Sequence, residues 1–487
     1  MRIKPLSFNL FLLINGILCI TFILVFKPVI QGDASAYINL AKQIFHIPGA
    51  SLFDLSHRSP LYSLLLGLVM LIFGETNFIF PVMILQYLLV FITAIYVYRI
   101  FIILIANDKI AFFAGLFGII NLSTIAFAYN ILSEILSLFI FTMLVHKVLM
   151  YYSNGRRRNI FLAGLLSGLM VLARFNALGV PLILLALVII IHLSHEGFHK
   201  FRILFPGVAI VTISSLLVLN LWALYNYQSR GFYNIFPMQI AGQRWAIPAT
   251  INENNVVTDE NKEVLQIFLN AKAKLAEQDT SRGIRKASLL NIPVIRKADD
   301  FFKPPANGFF LYSLAEPGLL SYFNLSYSSK NINILGEKLK PFYKEIAIQN
   351  RHELLKLKIF SFLYTFKYVS PTLPADMSMN LNMLPDLIIK LYKFLFLFIS
   401  VTVFAVSLFH SLIIILRNEI AKSYKLIILY AFIWYFPVIN FYANVLNDAN
   451  RFKFPAESLI LGLGVYYVSA AYLYLERKIS NKKVNVI

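Results

Sequence analysis

Gln31-Gly32-Asp33-Ala34-Ser35-Ala36-Tyr37 follows directly on an apolar run, residues 8–30, that is long enough to cross a bilayer. Asp33 is the first acidic residue of the chain. It stands where a membrane helix would emerge into water. A carboxylate there is either a solvated loop residue or a working group of a membrane enzyme. The rest of the chain decides between the two.

The chain has 487 residues, 59% of them hydrophobic, and a mean hydropathy of +0.70. Soluble domains run at about 45–50% apolar. Here apolar runs of about 20 residues recur, the length that matches a hydrocarbon core roughly 30 Å thick. The fold class expected is therefore an all-α polytopic membrane protein. No small-residue cleavage site follows the first run, which is read as a retained helix. The net charge of +20 would suggest nucleic acid in a soluble protein. In this chain much of it lies in short loops, where Lys and Arg set orientation and favour anionic lipid. Arg156-Arg157-Arg158 is read as a topology anchor, so membrane lipids are expected partners and nucleic acid is not. The one cysteine, Cys19, lies inside the first run and leaves no intramolecular disulfide.

Ten spanning helices are expected, over 8–30, 78–104, 110–129, 131–151, 160–175, 178–193, 202–226, 386–416, 425–443 and 454–475. Residues 60–74 are apolar over only 15 residues, short of the ~17–25 that a span needs. If they do not cross, Lys109, Arg156 to Arg158, Lys200 to Arg202, Arg417 to Lys425 and the tail from Arg477 to Lys483 share the side of the N-terminus. That is the positive-inside pattern. Before them, Tyr37, Leu40, Ala41 and Ile44 recur at helical spacing, which predicts an amphipathic helix along the membrane surface. The expected organisation is thus a transmembrane module over 1–226, with a first external loop at 31–59 and an interfacial helix at 60–74. An external, mostly helical domain over 227–385 comes next, and C-terminal helices with a cytoplasmic tail fill 386–487. Within the external domain, 232–248 reads as irregular. A helix is predicted over 261–276 from Val264, Leu265, Phe268, Ala271 and Leu275. A second, over 336–368, carries Leu339, Phe342, Ile346 and Leu354.

The same bookkeeping places Asp33, His57, Arg58, Glu134, Arg174, Asn176 and Asn447 to Arg451 at the external face. Charged groups from five separate loops or helix ends converging on one membrane face predict a site, because ionisable residues at that depth are rare and functional. Snorkelling to the interface is the plainer account of Arg58 and Arg174.

At these residues the chain resembles the GT-C superfamily of integral membrane glycosyltransferases, in particular the group of protein mannosyltransferases and lipid A aminoarabinose transferases. The resemblance is carried by Gly32-Asp33-Ala34-Ser35-Ala36-Tyr37 after the first span and by His57-Arg58-Ser59-Pro60-Leu61-Tyr62 opening a surface helix. Leu132-Ser133-Glu134 at the start of a span, Ala173-Arg174-Phe175-Asn176 between two spans, and the late Asn450-Arg451-Phe452-Lys453-Phe454-Pro455 add to it. Ser59 and Asn176 depart from the family's Pro and acid. The order and topology of these segments carry the likeness rather than any one of them.

The resemblance implies a GT-C-type bundle that moves a sugar from a polyprenyl-phosphate donor to an acceptor hydroxyl at the external face, usually with inversion. The acceptor is a glycan, a lipid or a protein. Separately, the absence of a eukaryotic retention signal or multi-domain tail gives a bacterial cytoplasmic (inner) membrane as the expected location. Asp33 is the candidate general base, a role worth ~10²–10⁴-fold in rate. Arg58, Arg174 and Arg451 are candidates for the donor phosphate, which Arg can grip with two bonds. Glu134 is a second catalytic carboxylate, or else a helix N-terminal acid with Ser133 as its cap. Tyr37, His57, Tyr62 and Asn176 are candidate substrate contacts. Asp33, His46 and His57 together do not have the spacing of a metal signature. No cofactor is required, and a divalent metal ion at that trio stays open. Two other classes compete: a polymerase or ligase of lipid-linked saccharides, with its Arg and His in the large loop, and a lipid or sugar transporter, with charges mid-span.

The parity argument is checked by labelling. A cysteine placed at Gly74 or Asn77 is expected to react from the external side, and reaction from the cytoplasm would overturn the non-crossing of 60–74.

Overall fold

The computed structural model describes residues 5–30, 33–50, 58–196, 201–231, 233, 235, 247–277, 308–326, 329–364, 386–443 and 453–484. Among the described residues the regular elements are helices, with one isolated parallel β-bridge between Val29 and Asn130. The first half holds α1 Pro5–Val25, α2 Ala34–Phe45, α3 Pro60–Phe73, α4 Ile79–Ile105, α5 Asp108–Ile120, α6 Leu122–Tyr129, α7 Glu134–Asn154, α8 Arg157–Ala173, α9 Val180–Glu196 and α10 Phe201–Arg230. After them come α11 Lys262–Glu277, α12 Gly308–Tyr322, α13 Ser329–Gln349, α14 Arg351–Tyr364, α15 Asp386–Leu416, α16 Ile420–Ala443 and α17 Glu457–Val484.

Eight of the described helices are long and apolar enough to cross a membrane. The bent pair α5–α6 makes a ninth. The tenth expected span corresponds to α8, which has 17 residues and begins on Arg157 and Arg158. With no apolar driving force between helices in lipid, contact depends on close approach and polar bonds. Asn15 of α1 donates to the Phe91 carbonyl of α4 at 3.0 Å. Gly164 and Gly168 of α8 lie against Ser214 and Ser215 of α10, where a Cβ on Gly168 would sit 2.9 Å from the Ser215 carbonyl. The Ser167 and Ser215 hydroxyls share a 2.8 Å hydrogen bond across the same contact.

The helix α3 is shorter than the described helices that are long enough to span. Its 14 residues extend about 21 Å at 1.5 Å per residue. Hydrogen bonds near Asn130 also place the end of α1 and the start of α4 at the same end of the bundle. The predicted amphipathic face of α2 is the one packed inward: Ala34, Tyr37, Leu40 and Ala41 are buried.

Two expectations are corrected. The helix predicted over 110–129 breaks at Asn121 with a 46° bend. The Asn121 side chain accepts from the Ser123 backbone amide at 3.1 Å and so starts a new helix. It also donates to Glu457 at 3.0 Å and accepts from the Tyr392 hydroxyl at 2.6 Å. The bend thus sits on a polar junction between α15, α17 and the α5–α6 pair. Lys453 closes the junction, 4.0 Å from Glu457 and 4.8 Å from the Phe396 ring centroid. Both side chains of that pair are fully buried. Burial pulls the Lys453 ammonium down to about 8 against the pull of the Glu457 carboxylate.

In the central segment, the helix expected over 336–368 is divided at Asn350, between α13 and α14. The Asn350 amide turns out of the helix to donate to the Thr250 carbonyl at 2.9 Å and to Asn255 at 3.2 Å. The helix α12 at Gly308–Tyr322 was not expected at all. It completes a second core, separate from that of the spans, in which Val264, Phe268, Leu311, Leu339, Phe342 and Ile346 are buried together. Phe268 and Phe342 stack at 5.5 Å. Most of the irregular stretch 232–248 and the return at 365–385 lie outside the described residues.

Candidate active site

The site is built on two short segments laid side by side. Val29 donates to the Tyr129 carbonyl at 3.0 Å, and Ile131 donates to the Val29 carbonyl at 3.1 Å. The pairing is parallel. Asp33 and Glu134 each lie four residues beyond the bridged pair. Each opens a helix, Asp33 at the N-cap of α2 and Glu134 as the first residue of α7. The positive end of a helix dipole favours a carboxylate at both places. The Asp33 side chain makes no capping bond to α2, which leaves it turned toward other partners.

Each carboxylate meets an arginine. Arg58 Nη2 lies 2.8 Å from Asp33 Oδ1, with the two side chains 28% and 31% exposed. Arg174 Nη1 lies 2.9 Å from Glu134 Oε1, with exposures of 8% and 0%. The difference decides their roles. A pair that reaches solvent is screened and weak, worth about 0–1 kcal/mol. A buried pair is locked, because losing one partner strands a charge. Asp33–Arg58 can exchange partners, while Glu134–Arg174 is a fixed part of the fold. The Arg58 guanidinium also stands 5.9 Å from the Tyr37 ring centroid, and its buried Nε has no hydrogen-bond partner.

Arg174 is aimed by the turn that follows α8. Its backbone is extended, and a 3₁₀ turn over Phe175–Ala177 comes next. Tyr435 of α16 pins this turn, donating to the Asn176 carbonyl while accepting from the Gly179 amide at 3.1 Å. The Tyr435 ring leaves no room for a side chain at Gly179, where a Cβ would sit 2.8 Å away. The Asn176 Nδ2 is buried and has no hydrogen-bond partner.

Between the two pairs runs a row of hydroxyls. The Tyr37 hydroxyl is 3.1 Å from the Ser133 hydroxyl and 3.4 Å from that of Ser59. Ser133 makes no side-chain cap on α7, so its hydroxyl serves this row instead. The Tyr37 and Tyr62 rings meet edge to face at 5.3 Å, and the Tyr62 hydroxyl donates to Gln86 of α4 at 3.0 Å. Burial first, and the Glu134 charge second, raise the Tyr62 hydroxyl well above the usual phenol range. It therefore stays a proton donor.

The structure brings Asp33, Arg58, Glu134, Arg174, Tyr37 and Tyr62 to one end of the bundle. Tyr37 and Tyr62, expected as substrate contacts, are 6% and 1% exposed and hold the site from behind. His57 and Arg451 lie outside the described residues. The trio of Asp33, His46 and His57 does not form around an ion: His46 caps the far end of α2, about 18 Å from Asp33 along a 12-residue helix. Among the described residues no three His, Cys, Asp or Glu side chains gather to hold a metal. The residues that sequence reasoning did not single out are Gln86, Ser133 as a partner of Tyr37, and Tyr435. Gln86 is the only one with a local signal, a carboxamide within an otherwise apolar run.

No family model matches the chain, and no curated protein does. Two solved structures are similar to it. ArnT from Cupriavidus metallidurans bound to undecaprenyl phosphate matches at 13% identity and a TM-score of 0.37, over 92% of this chain and 79% of that one. The same protein in the apo state matches at 12% and 0.35, over 90% and 77%.

Removing one partner of the buried pair tests its role. Arg174→Ala strands Glu134 and is expected to cost about 3–5 kcal/mol in unfolding free energy. Adding Glu134→Leu should recover most of that, and the non-additivity is read in thermal unfolding of the four proteins of the cycle.

Proposed function

We propose that this chain is a membrane glycosyltransferase of the GT-C kind, which moves a sugar from a polyprenyl-phosphate donor to an acceptor hydroxyl at the external face of a bacterial inner membrane. The observation that carries the reading is the pair of carboxylate–arginine couples, unlike in exposure and set in parallel at one end of an apolar helix bundle. Transfer between a lipid-borne donor and a hydroxyl needs a base, a phosphate grip and a place at the membrane surface. The site has a candidate for each.

In this reading the donor phosphate approaches the exchangeable couple and draws Arg58 away from Asp33. A phosphate accepts two parallel bonds from a guanidinium, which a single carboxylate contact at the rim does not match. The same event frees the Asp33 carboxylate. Asp33 then takes the proton of the acceptor hydroxyl as its oxygen bonds to the anomeric carbon. The bond from that carbon to the phosphate oxygen breaks, and the electron pair leaves with polyprenyl phosphate. Attack from the face opposite the leaving group inverts the anomeric centre. The charge that grows on the phosphate meets Arg58, and Arg174 lends a second positive field while Glu134 keeps its guanidinium in place. The Asn176 amide, buried and unpaired beside Arg174, supplies a hydrogen-bond donor for a sugar or phosphate oxygen.

The test is transfer by the purified chain in lipid, against a panel of polyprenyl-phosphate sugars and acceptors. Asp33→Asn keeps the shape and removes the base. It is expected to bind donor at least as tightly as wild type, since Arg58 no longer has to leave a carboxylate, while losing transfer by ~10²–10⁴-fold. Equal transfer by both proteins would end the role of Asp33. Carriage of a saccharide across the bilayer without a new glycosidic bond would favour the transporter.

A further inference from the structure

Gln86 lies seven residues into α4 and is 1% exposed. A carboxamide buried inside a span is costly unless both its ends are bonded. Here both are. Its Nε2 lies 2.9 Å from the Ala128 carbonyl and 2.8 Å from the Asn130 carbonyl. Carbonyls only accept, so the amide nitrogen must face them, and this sets the orientation of the group. The Oε1 is then turned to Tyr62, which donates to it at 3.0 Å.

The three carbonyls of residues 128–130 are divided between two partners. Gln86 takes the outer two, from Ala128 and Asn130, and Val29 takes the middle one, from Tyr129. The side chain does on one flank what the Val29 backbone does on the other. It ties the turn between α6 and α7 to α4, and that same turn meets Val29 in the segment that leads to Asp33. Through Tyr62 it also fixes α3, on which the Tyr37 ring rests.

We infer that Gln86 is a positioning residue of the site, a clamp that holds the Asp33 and Glu134 segments in register. It touches neither carboxylate and acts through the 128–130 turn and Tyr62. The inference rests on the transfer reading for its catalytic readout only, since the register can be measured without a reaction.

The experiment uses the full chain in lipid nanodiscs, with Gln86→Leu, Gln86→Glu and Tyr62→Phe. Glu keeps the length and the acceptor for Tyr62 but cannot donate to both carbonyls, so it serves if Leu fails to fold. The first readout is amide hydrogen exchange at Val29 and Ile131, the two bridge donors. Both are expected to exchange faster in the Gln86 variants. The second is steady-state transfer: kcat falls on the order of 10²-fold, as a small misplacement of reacting groups costs, with KM for the polyprenyl-phosphate donor unchanged. Tyr62→Phe should lower kcat less, and should add little once Gln86 is gone. Unchanged exchange at Val29 and Ile131 would overturn the clamp. So would an unchanged kcat accompanied by lower thermal stability, which is what a purely structural residue gives. If wild type transfers no sugar, the transfer reading fails, and the exchange readout still decides the clamp.

Discussion

The structure depends on the parallel bridge between Val29 and the 129–131 turn. Two backbone hydrogen bonds, at 3.0 and 3.1 Å, join the exit of α1 to the entry of α7. A backbone pair so short would be marginal by itself in water. Here Tyr129 and Asn130 are buried, Val29 packs against the core, and Gln86 holds the same turn to α4. Its consequence is geometric: two carboxylates from chain positions about a hundred residues apart start their helices side by side. Everything that gives the site its chemistry, from the arginines to the row of hydroxyls, is arranged around that register.

The two couples divide the work that one could not do. A charge held in a low-dielectric place is stable only with its partner, so Glu134–Arg174 supplies a permanent field at the cost of mobility. A charge at the rim is cheap to release, so in the proposed transfer Asp33–Arg58 rearranges when a phosphate arrives. A site of two buried couples would be too rigid to free a base. Two exposed couples would leave no fixed positive field beside the proposed phosphate site.

Much of this was legible in the sequence, for a physical reason. In a chain that is 59% hydrophobic, an Asp, Glu or Arg at the end of an apolar run stands out, and Asp33, Arg58, Glu134 and Arg174 were found that way. The inward face of α2 followed from its helical period, and the shortness of α3 from its apolar run. What was hidden depends on tertiary partners. Asn121 reads as one more residue in an apolar run until Glu457 and Tyr392 meet it. Lys453 and Glu457, at opposite ends of a single turn, gave no sign of being buried. The role of Gln86 needed the 128–130 carbonyls. The joint role of Asp33 and His46 around an ion could have been rejected from the predicted helix itself, whose length sets them at opposite ends.

In the proposed function one membrane-surface site, between an exchangeable couple and a fixed one, receives a lipid phosphate. The measurement that meets it most directly is an experimental structure of the full chain in lipid with a polyprenyl phosphate bound. The phosphate is expected within hydrogen-bond reach of Arg58, with Arg58 withdrawn from Asp33 and Glu134–Arg174 unbroken. A phosphate seated away from both couples, with Asp33–Arg58 intact, would contradict it.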